Sequence, residues 1–443
     1  MSRSCAAQSP CECAVSAGPM RDAVFWFDRR EDALPPLRQT IRADVVVVGG
    51  GMMGLMCART LSARKQRVCI LEADTCGGGA SGRSSGLITP DSELELGDLV
   101  RGFGSELGPW LWDFASDGVN TIRRAVSEDQ IACDFQPHEA LFIAATTAGA
   151  KLIADEFSAR QRFGYPCTHY SKEQLPGIVG SSAYFGALRF GGTFSIDGYR
   201  CCAGLRRRLL DNGVRIFEKS AATRITESGV ETSAGSVQVP SVVVCTDRLL
   251  PELGLAKREI YHAQTFLAIS ECLPDSDVDR LFPREPFMVW DTDLFYKYFR
   301  LTGDRRLLIG GSTLADTYVR REKHQPERVA RRLTKYLAER FPGLELRFAA
   351  CWPGLIGITK DFAPIVGCHP RFPSVHFAGG AAGLPWAAAL GRYLAERILD
   401  GRTDLEDVLS VNRSFPVGPH LQAAIGAPAA FATSHGILKF LHE

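Results

Sequence analysis

Three stretches of this chain carry glycines and small side chains at spacings that a bound dinucleotide requires. The first is Gly49-Gly50-Gly51-Met52-Met53-Gly54. Gly49 permits a tight turn, Gly51 lets a pyrophosphate touch backbone, and Gly54 lets a helix pack against a strand. The first-turn N–H groups of that helix lie unsatisfied at the positive end of its dipole, where phosphates bind. Glu72 ends the next apolar run, where a carboxylate accepts from both ribose hydroxyls and repels a 2′-phosphate. The second stretch, Gly79-Ala80-Ser81-Gly82-Arg83-Ser84-Ser85-Gly86, allows a second close approach of backbone to ligand. A nicotinamide dinucleotide has no need of such a loop. A flavin does, because its ribityl and ring portions extend further across the sheet edge. The third stretch joins Trp352-Pro-Gly354-Leu-Ile-Gly357, Asp361-Phe-Ala-Pro-Ile-Val-Gly367 and Ala378-Gly379-Gly380-Ala-Ala-Gly383 ahead of the last long helical pattern. A helix entered through glycines aims its positive end at a ligand, and at a flavin's pyrimidine edge it stabilises charge on the reduced ring.

Positioning these groups takes a parallel sheet. Asp44-Val-Val-Val-Val48 is a short β-branched run suited to a strand buried on both faces. A helical pattern from Met52 to about Arg64 and the strand Val68-Cys-Ile-Leu71 complete a strand–helix–strand unit. Helical patterns follow over 93–129, 148–163, 200–212, 327–341 and 387–400. Short strands are expected at 141–144, 214–217, 222–225, 242–245 and 377–380, with a hairpin of 295–298 and 307–309 around Thr302-Gly303-Asp304.

Bulk properties narrow the ligand class. Lys plus Arg total 51 against 50 for Asp plus Glu over 443 residues. A formal charge of +1 gives no long-range field for nucleic acid or an anionic membrane, which points to a small buried ligand. Residues 1–24 lack the continuous apolar core of a signal peptide, and Ala43–Leu61 is too broken by glycine to span a bilayer. Leu421–Leu441, with Pro428, His435 and Lys439, reads as a docked tail. Most of the 14 cysteines sit in or beside apolar runs as core thiols. Cys5, Cys11 and Cys13 are one ligand short of a structural zinc site. A reducing, cytoplasmic setting is expected, with no metal.

These residues together resemble the D-amino-acid-oxidase-like family of FAD oxidoreductases, which includes glycine and sarcosine oxidases. Gly49-x-Gly51-x-x-Gly54, Glu72, Gly79-Ala-Ser-Gly-Arg83, Trp352-x-Gly354, Pro364-Ile-Val-Gly367 and Gly379-Gly380-x-x-Gly383 carry the likeness. Phe25-Trp26, Ile41-x-Ala-Asp44 and Phe415-Pro416 are most similar to the γ-glutamylputrescine oxidoreductase branch. The resemblance implies an α/β fold, with a Rossmann-like parallel-sheet FAD domain interleaved with an α+β substrate domain on a mostly antiparallel sheet. The expected division is a tail or linker over 1–40, the FAD domain over 41–95, 186–252 and 350–405, the substrate domain over 96–185 and 253–349, and a tail over 406–443. It also implies non-covalent FAD held by Gly49, Gly51, Met53, Gly54, Glu72, Ala80, Ser81, Arg83, Ser85, Gly86, Leu87, Ala222, Thr246, Gly354, Gly380, Gly383 and Leu384. Tyr298 and Arg300 fall where the family places substrate-facing side chains, and Trp352 and Trp386 are candidate walls.

The departures refine the expectation. Family amino-acid oxidases hold a substrate carboxylate with an arginine in the segment that here reads Leu355-Ile356-Gly357. A bidentate guanidinium is hard to replace for that task. Pro385 and Trp386 stand where some relatives carry another cation, and Leu308 aligns with the oxygen-activating lysine of sarcosine oxidases. The implied reaction is oxidation of a CH–NH bond of a small amine or amino acid, with hydride passing to flavin N5 and the imine hydrolysing. Dioxygen or another acceptor is the implied partner. A flavin monooxygenase or halogenase shares the first motif, but carries an acid in the loop that here reads Gly379-Gly-Ala-Ala-Gly383. A non-catalytic flavin-binding subunit is the remaining alternative, separable by turnover with any amine.

Overall fold

The computed structural model describes residues 18–91, 93–319 and 321–440, so Cys5, Cys11 and Cys13 lie outside the described residues. Two large sheets organise the chain. The first has six strands in the order Ile365–His369, Phe372–Gly379, Ser241–Val244, Val45–Val48, Val68–Leu71 and Arg215–Phe217. All neighbours run parallel except the edge strand Ile365–His369. Val45–Val48 and Val68–Leu71 are buried along their full length, as β-branched and aliphatic runs in a doubly covered sheet must be. On one face the helix Met52–Ala63 packs against Leu384–Asp400 and Gly198–Asp211. The first crossing is close: a Cβ on Gly391 would lie 2.2 Å from the Met53 carbonyl oxygen. A smaller four-stranded sheet, Thr40–Arg42, Ser236–Gln238, Gly229–Thr232 and Ala222–Thr226, adjoins the other face through Ile41, Val230 and Val237.

The second sheet has eight strands, ordered Phe348–Ile358, Tyr261–Cys272, Arg306–Gly311, Tyr298–Leu301, Phe287–Asp291, Glu139–Ile143, Gly186–Phe190 and Thr168–Ser171. It is antiparallel except between Phe287–Asp291 and Glu139–Ile143. The basic helix Pro326–Arg340 is not a free surface element. Its Val329, Leu333 and Leu337 bury an apolar stripe against this sheet.

Three expectations are corrected. Gly186–Phe190 and Phe348–Ile358, placed with the FAD domain by the ranges 186–252 and 350–405, belong to the eight-stranded sheet. Phe348–Ile358 pairs along the long strand Tyr261–Cys272, from Tyr261 opposite Ile358 to Ser270 opposite Phe348. Backbone pairing of that length is invisible in local composition. Residues 24–40 are not linker. Trp26 is buried edge-on against Trp352, the Leu34 N–H donates to Glu218 (2.7 Å), and the Leu37 N–H donates to Ser220 (2.9 Å). The helix predicted over 93–129 is Leu96–Glu128, broken by Gly104 at φ 88° into two segments. The C-terminal residues form two helices, Pro419–Ile425 and Ala427–Phe440, with Phe431 and His435 buried. Among the described residues, no helix is long and apolar enough to cross a membrane.

Candidate functional site: a dinucleotide cradle and an enclosed cavity

The glycine turn has little room for any other residue. Gly49 ends the strand at φ 109°, and a Cβ on Gly54 would sit 1.9 Å from the Gly49 carbonyl oxygen. Gly51 is the N-cap of Met52–Ala63 and offers no side-chain cap, so first-turn N–H groups, with Met53 among them, remain for a ligand. Ser81 Oγ accepts from the Met52 N–H (3.0 Å), which ties the second loop to that helix. Glu72 receives the Gly50 N–H (2.7 Å) and the Asp74 N–H (2.8 Å). Burial raises its pKa, against those two N–H donors. Each carboxylate oxygen keeps a lone pair for a ribose hydroxyl. The Ser220 N–H donates to the Glu72 carbonyl (2.8 Å), and Ala222 follows two residues on.

Two buried hydroxyl oxygens of this region, Thr75 Oγ1 and Thr246 Oγ1, have no hydrogen-bond partner among the described residues. Thr246 lies beside the glycine turn, its N 3.5 Å from a Cβ built on Gly49. A turn without side chains, an uncapped helix start, a half-buried acid at the second strand end and orphaned hydroxyls together fit FAD.

The second and third stretches converge on a cavity of about 200 Å³. Ala80, Arg83, Ser85, Gly86 and Leu87 line one side of it, and Gly354, Gly383 and Leu384 line another. Gly86 (φ 70°) approaches the Ile196 carbonyl so closely that a Cβ would lie 1.8 Å from its oxygen. Gly383 caps the 17-residue helix Leu384–Asp400 without a side-chain cap, so its positive end faces the cavity. Gly380 (φ 65°) does not line this cavity. It holds the turn before the helix, and its N–H donates to Asp247 (3.0 Å). The eight-stranded sheet supplies the opposite wall through Thr265, Trp290 and Tyr298.

Of the four residues expected to face substrate, only Tyr298 lines the cavity. Arg300 shares a strand face with it but is fully buried, donating to the Ser85 (2.7 Å), Leu301 (3.1 Å) and Ile196 (2.8 Å) carbonyls. Its guanidinium fixes the flavin loop from behind and is not available to a substrate carboxylate. Trp352 donates its indole N–H to the Arg83 carbonyl (3.1 Å) and meets Trp26 edge to face. Trp386 packs on Phe114 in the helical core. Arg300 and Trp352 share strand faces with the lining residues Tyr298 and Gly354, so their positions along the strands, and the helix phase of Trp386, keep these side chains out of the lining, and no local pattern resolves either.

Residues that sequence reasoning passed over complete the site. Asp247 accepts from the Gly357 (2.6 Å) and Gly380 (3.0 Å) N–H groups, joining the two C-terminal loops to the parallel sheet. His435 reaches the cavity from the C-terminal helix, with Tyr318 on Nδ1 (2.6 Å), the Thr359 carbonyl on Nε2 (2.8 Å) and Phe362 stacked at 3.8 Å. Asp91, Glu93 and Tyr296 also line it. The run Asp91-Ser-Glu-Leu-Glu95 reads as a solvated loop in sequence, and only the fold encloses it.

Glu72→Gln tests the cradle. Losing one charged acceptor of about 1.5–3 kcal/mol is expected to weaken FAD on the order of tenfold or more, read by titrating stripped protein with FAD. Unchanged affinity would remove Glu72 from the cofactor site.

Comparison with known proteins agrees with this geometry. The family described as FAD dependent oxidoreductase (DAO) matches residues 44–397. A probable oxidoreductase, OrdL, of Haemophilus influenzae is 27% identical over 404 residues, 87% of this chain and 91% of the relative. The γ-glutamylputrescine oxidoreductase of Escherichia coli is 28% identical over 408 residues, covering 89% and 92%. Glycine oxidase from Geobacillus kaustophilus shares the fold, with a TM-score of 0.72 at 21% identity over 84% of this chain and 99% of its own. With its glycine turn, its Glu72 at the strand end and its small-residue loop facing a sheet wall, the chain belongs to the DAO family of FAD-dependent oxidoreductases and is an enzyme of that class.

Proposed function

We propose that the protein oxidises the CH–NH bond of a small amine at the cavity between the flavin loops and the eight-stranded sheet. The observation that carries this reading is the cavity lining: flavin loops face Trp290, Tyr296 and Tyr298, and the lining's one guanidinium, Arg83, is engaged by Glu322 (3.1 Å). Among the described residues of the lining a carboxylate substrate has no free cation to hold it, whereas a neutral amine fits an aromatic wall. When bound, FAD supplies the acceptor, N5 taking the hydride as the nitrogen lone pair forms the C=N bond.

The chain's own groups supply the setting. Desolvation between the aromatic walls lowers the pKa of an entering ammonium, so the nitrogen sheds its proton and its lone pair becomes available. Arg300 holds the Ser85 and Ile196 carbonyls and thereby the loop that must lie against the ring. The uncapped start of Leu384–Asp400 would help hold a flavin at this cavity, its positive potential favouring the negative charge of the reduced form. Water then hydrolyses the imine to a carbonyl compound and the freed amine, and dioxygen or another acceptor takes the electrons. The FAD is held without a covalent bond: His435, the cavity's one histidine, has both ring nitrogens engaged. Unbridged core thiols such as Cys57, Cys69 and Cys245 support a reducing compartment, the cytoplasm.

Anaerobic mixing with a panel of amines and amino acids tests the reading. Bleaching of the flavin's visible absorbance by an amine is the expected result, and readmitting air distinguishes an oxidase from a dehydrogenase. A yellow protein that no amine reduces would refute it.

A further inference from the structure

Beside the small cavity lies a second one of about 990 Å³, and the two share Asp91, Glu93, Trp290, Leu294, Tyr296, Phe362 and His435 in their linings. Ten Asp or Glu side chains line this outer chamber, against three Arg or Lys. The three cations are engaged: Arg101 on Asp98, Arg413 on Asp361 (2.7 Å) and Lys439 on the Thr292 carbonyl (3.2 Å). Among the shared residues the balance is one-sided. Asp91 is 9% exposed, and its Oδ1 is buried with no hydrogen-bond partner among the described residues. Glu93 meets the Tyr296 hydroxyl (3.0 Å) and, among the described residues, no cationic side chain. Glu95, by contrast, is committed to Trp290 (3.0 Å) and Arg160 (3.1 Å).

A desolvated carboxylate oxygen without a hydrogen-bond partner is costly, and a ligand that completes it offsets that cost. The missing partner is a cation. It is not a metal ion, since no group of three His, Cys, Asp or Glu is disposed to hold one among the described residues. Trp290, Tyr296 and Phe362 among the shared residues suit an alkyl chain ending in an ammonium, through apolar contact and ring faces. Burial raises the pKa of Asp91 to about 8, against the pull of Arg160, and that of Glu93 to about 7, so both carboxyls shed their charge near neutral pH unless a further cation comes beside them.

We propose that Asp91 and Glu93 bind the remote ammonium of a substrate with at least two amino groups, a diamine or oligoamine whose other nitrogen is oxidised in the inner cavity. The proposal rests on the amine-oxidation reading and names its substrate class.

The test uses holoprotein with α,ω-diaminoalkanes of graded length, their mono-N-acyl derivatives, n-alkylamines of equal length, and simple amino acids. Anaerobic flavin reduction gives kcat/KM, and thermal shift gives binding independently of turnover. Diamines are expected to exceed alkylamines and N-acyl diamines by on the order of tenfold, one good charge-assisted contact. Asp91→Asn and Glu93→Gln should each collapse that ratio towards one and remove the diamine-specific thermal shift; using two variants guards against misfolding of either. Equal rates for diamine and alkylamine, preference for an N-acyl diamine or amino acid, or a ratio untouched in both variants would overturn the proposal while leaving amine oxidation standing. A diamine thermal shift lost in Glu93→Gln, with no flavin reduction by any amine, would keep the cation site and refute the oxidation. Neither shift nor reduction would refute both.

Discussion

Replacing Arg160 with methionine is expected to lower stability by about 3–5 kcal/mol, the cost of breaking a buried ion network from one side. Arg160 is 1% exposed, with Glu156 on Nε (2.6 Å) and Glu95 on Nη2 (3.1 Å), and it lies over Trp112 and Phe190. Through these contacts it locks the helix Thr147–Phe163 to the start of Leu96–Glu128, below the acidic loop that opens the cavity. Burial already raises the pKa of Glu95 and of Glu156. An acid whose folded pKa exceeds its unfolded value contributes most below the unfolded value, and that contribution is lost as pH rises through the window between the two. Arg160 works against the rise, so its removal widens the window. The variant's deficit should therefore be small near about pH 5 and full near about pH 8. Thermal unfolding of both proteins across that range checks it, about 3–5 °C separating them at the upper end. A loss that does not change with pH would show that methionine removes packing alone.

Gly54→Val should yield protein that purifies without flavin. Its first side-chain carbon would meet the Gly49 carbonyl oxygen at 1.9 Å and Val47 Cγ1 at 3.2 Å, so the helix must lift from the strand. The N–H groups aimed at the pyrophosphate then move with it, and misplacing oriented donors by about 1 Å costs on the order of a hundredfold. Gly436→Ala, with nothing within 4 Å of the new carbon, is the control for glycine replacement in a helix. The ratio of flavin to protein absorbance reads the outcome. A fully loaded Gly54→Val protein would mean that this turn does not hold the cofactor.

The parallel core was legible because its cues are local. Val45–Val48 and Val68–Leu71 lie where the apolar runs placed them, and Met52–Ala63 begins at the glycine turn. The small-residue loop 79–86 and the glycines before Leu384 gave the flavin side of the cavity for the same reason: close approach removes side chains, and their removal shows in the text of the chain. The substrate side was not legible. Tyr298 and Arg300 alternate correctly along one strand, yet one lines the cavity and the other is consumed by three carbonyls. Trp352 and Trp386 carry no local sign of which neighbour they will meet. The acids of Asp91-Ser-Glu-Leu-Glu95 look solvated until Trp290, Tyr296 and the C-terminal helix close over them.

The sequence by itself determined the cofactor. A nucleotide is bound by backbone at a strand–turn–helix junction, and the residues that expose backbone stand close together in the chain. Only the tertiary structure decided what meets the cofactor. That wall is assembled from strands joined across long separations, Phe348–Ile358 on Tyr261–Cys272 and Phe287–Asp291 on Glu139–Ile143, with His435 arriving from the far end. Backbone hydrogen bonds and burial set its side chains, and both are properties of the folded chain rather than of any window within it.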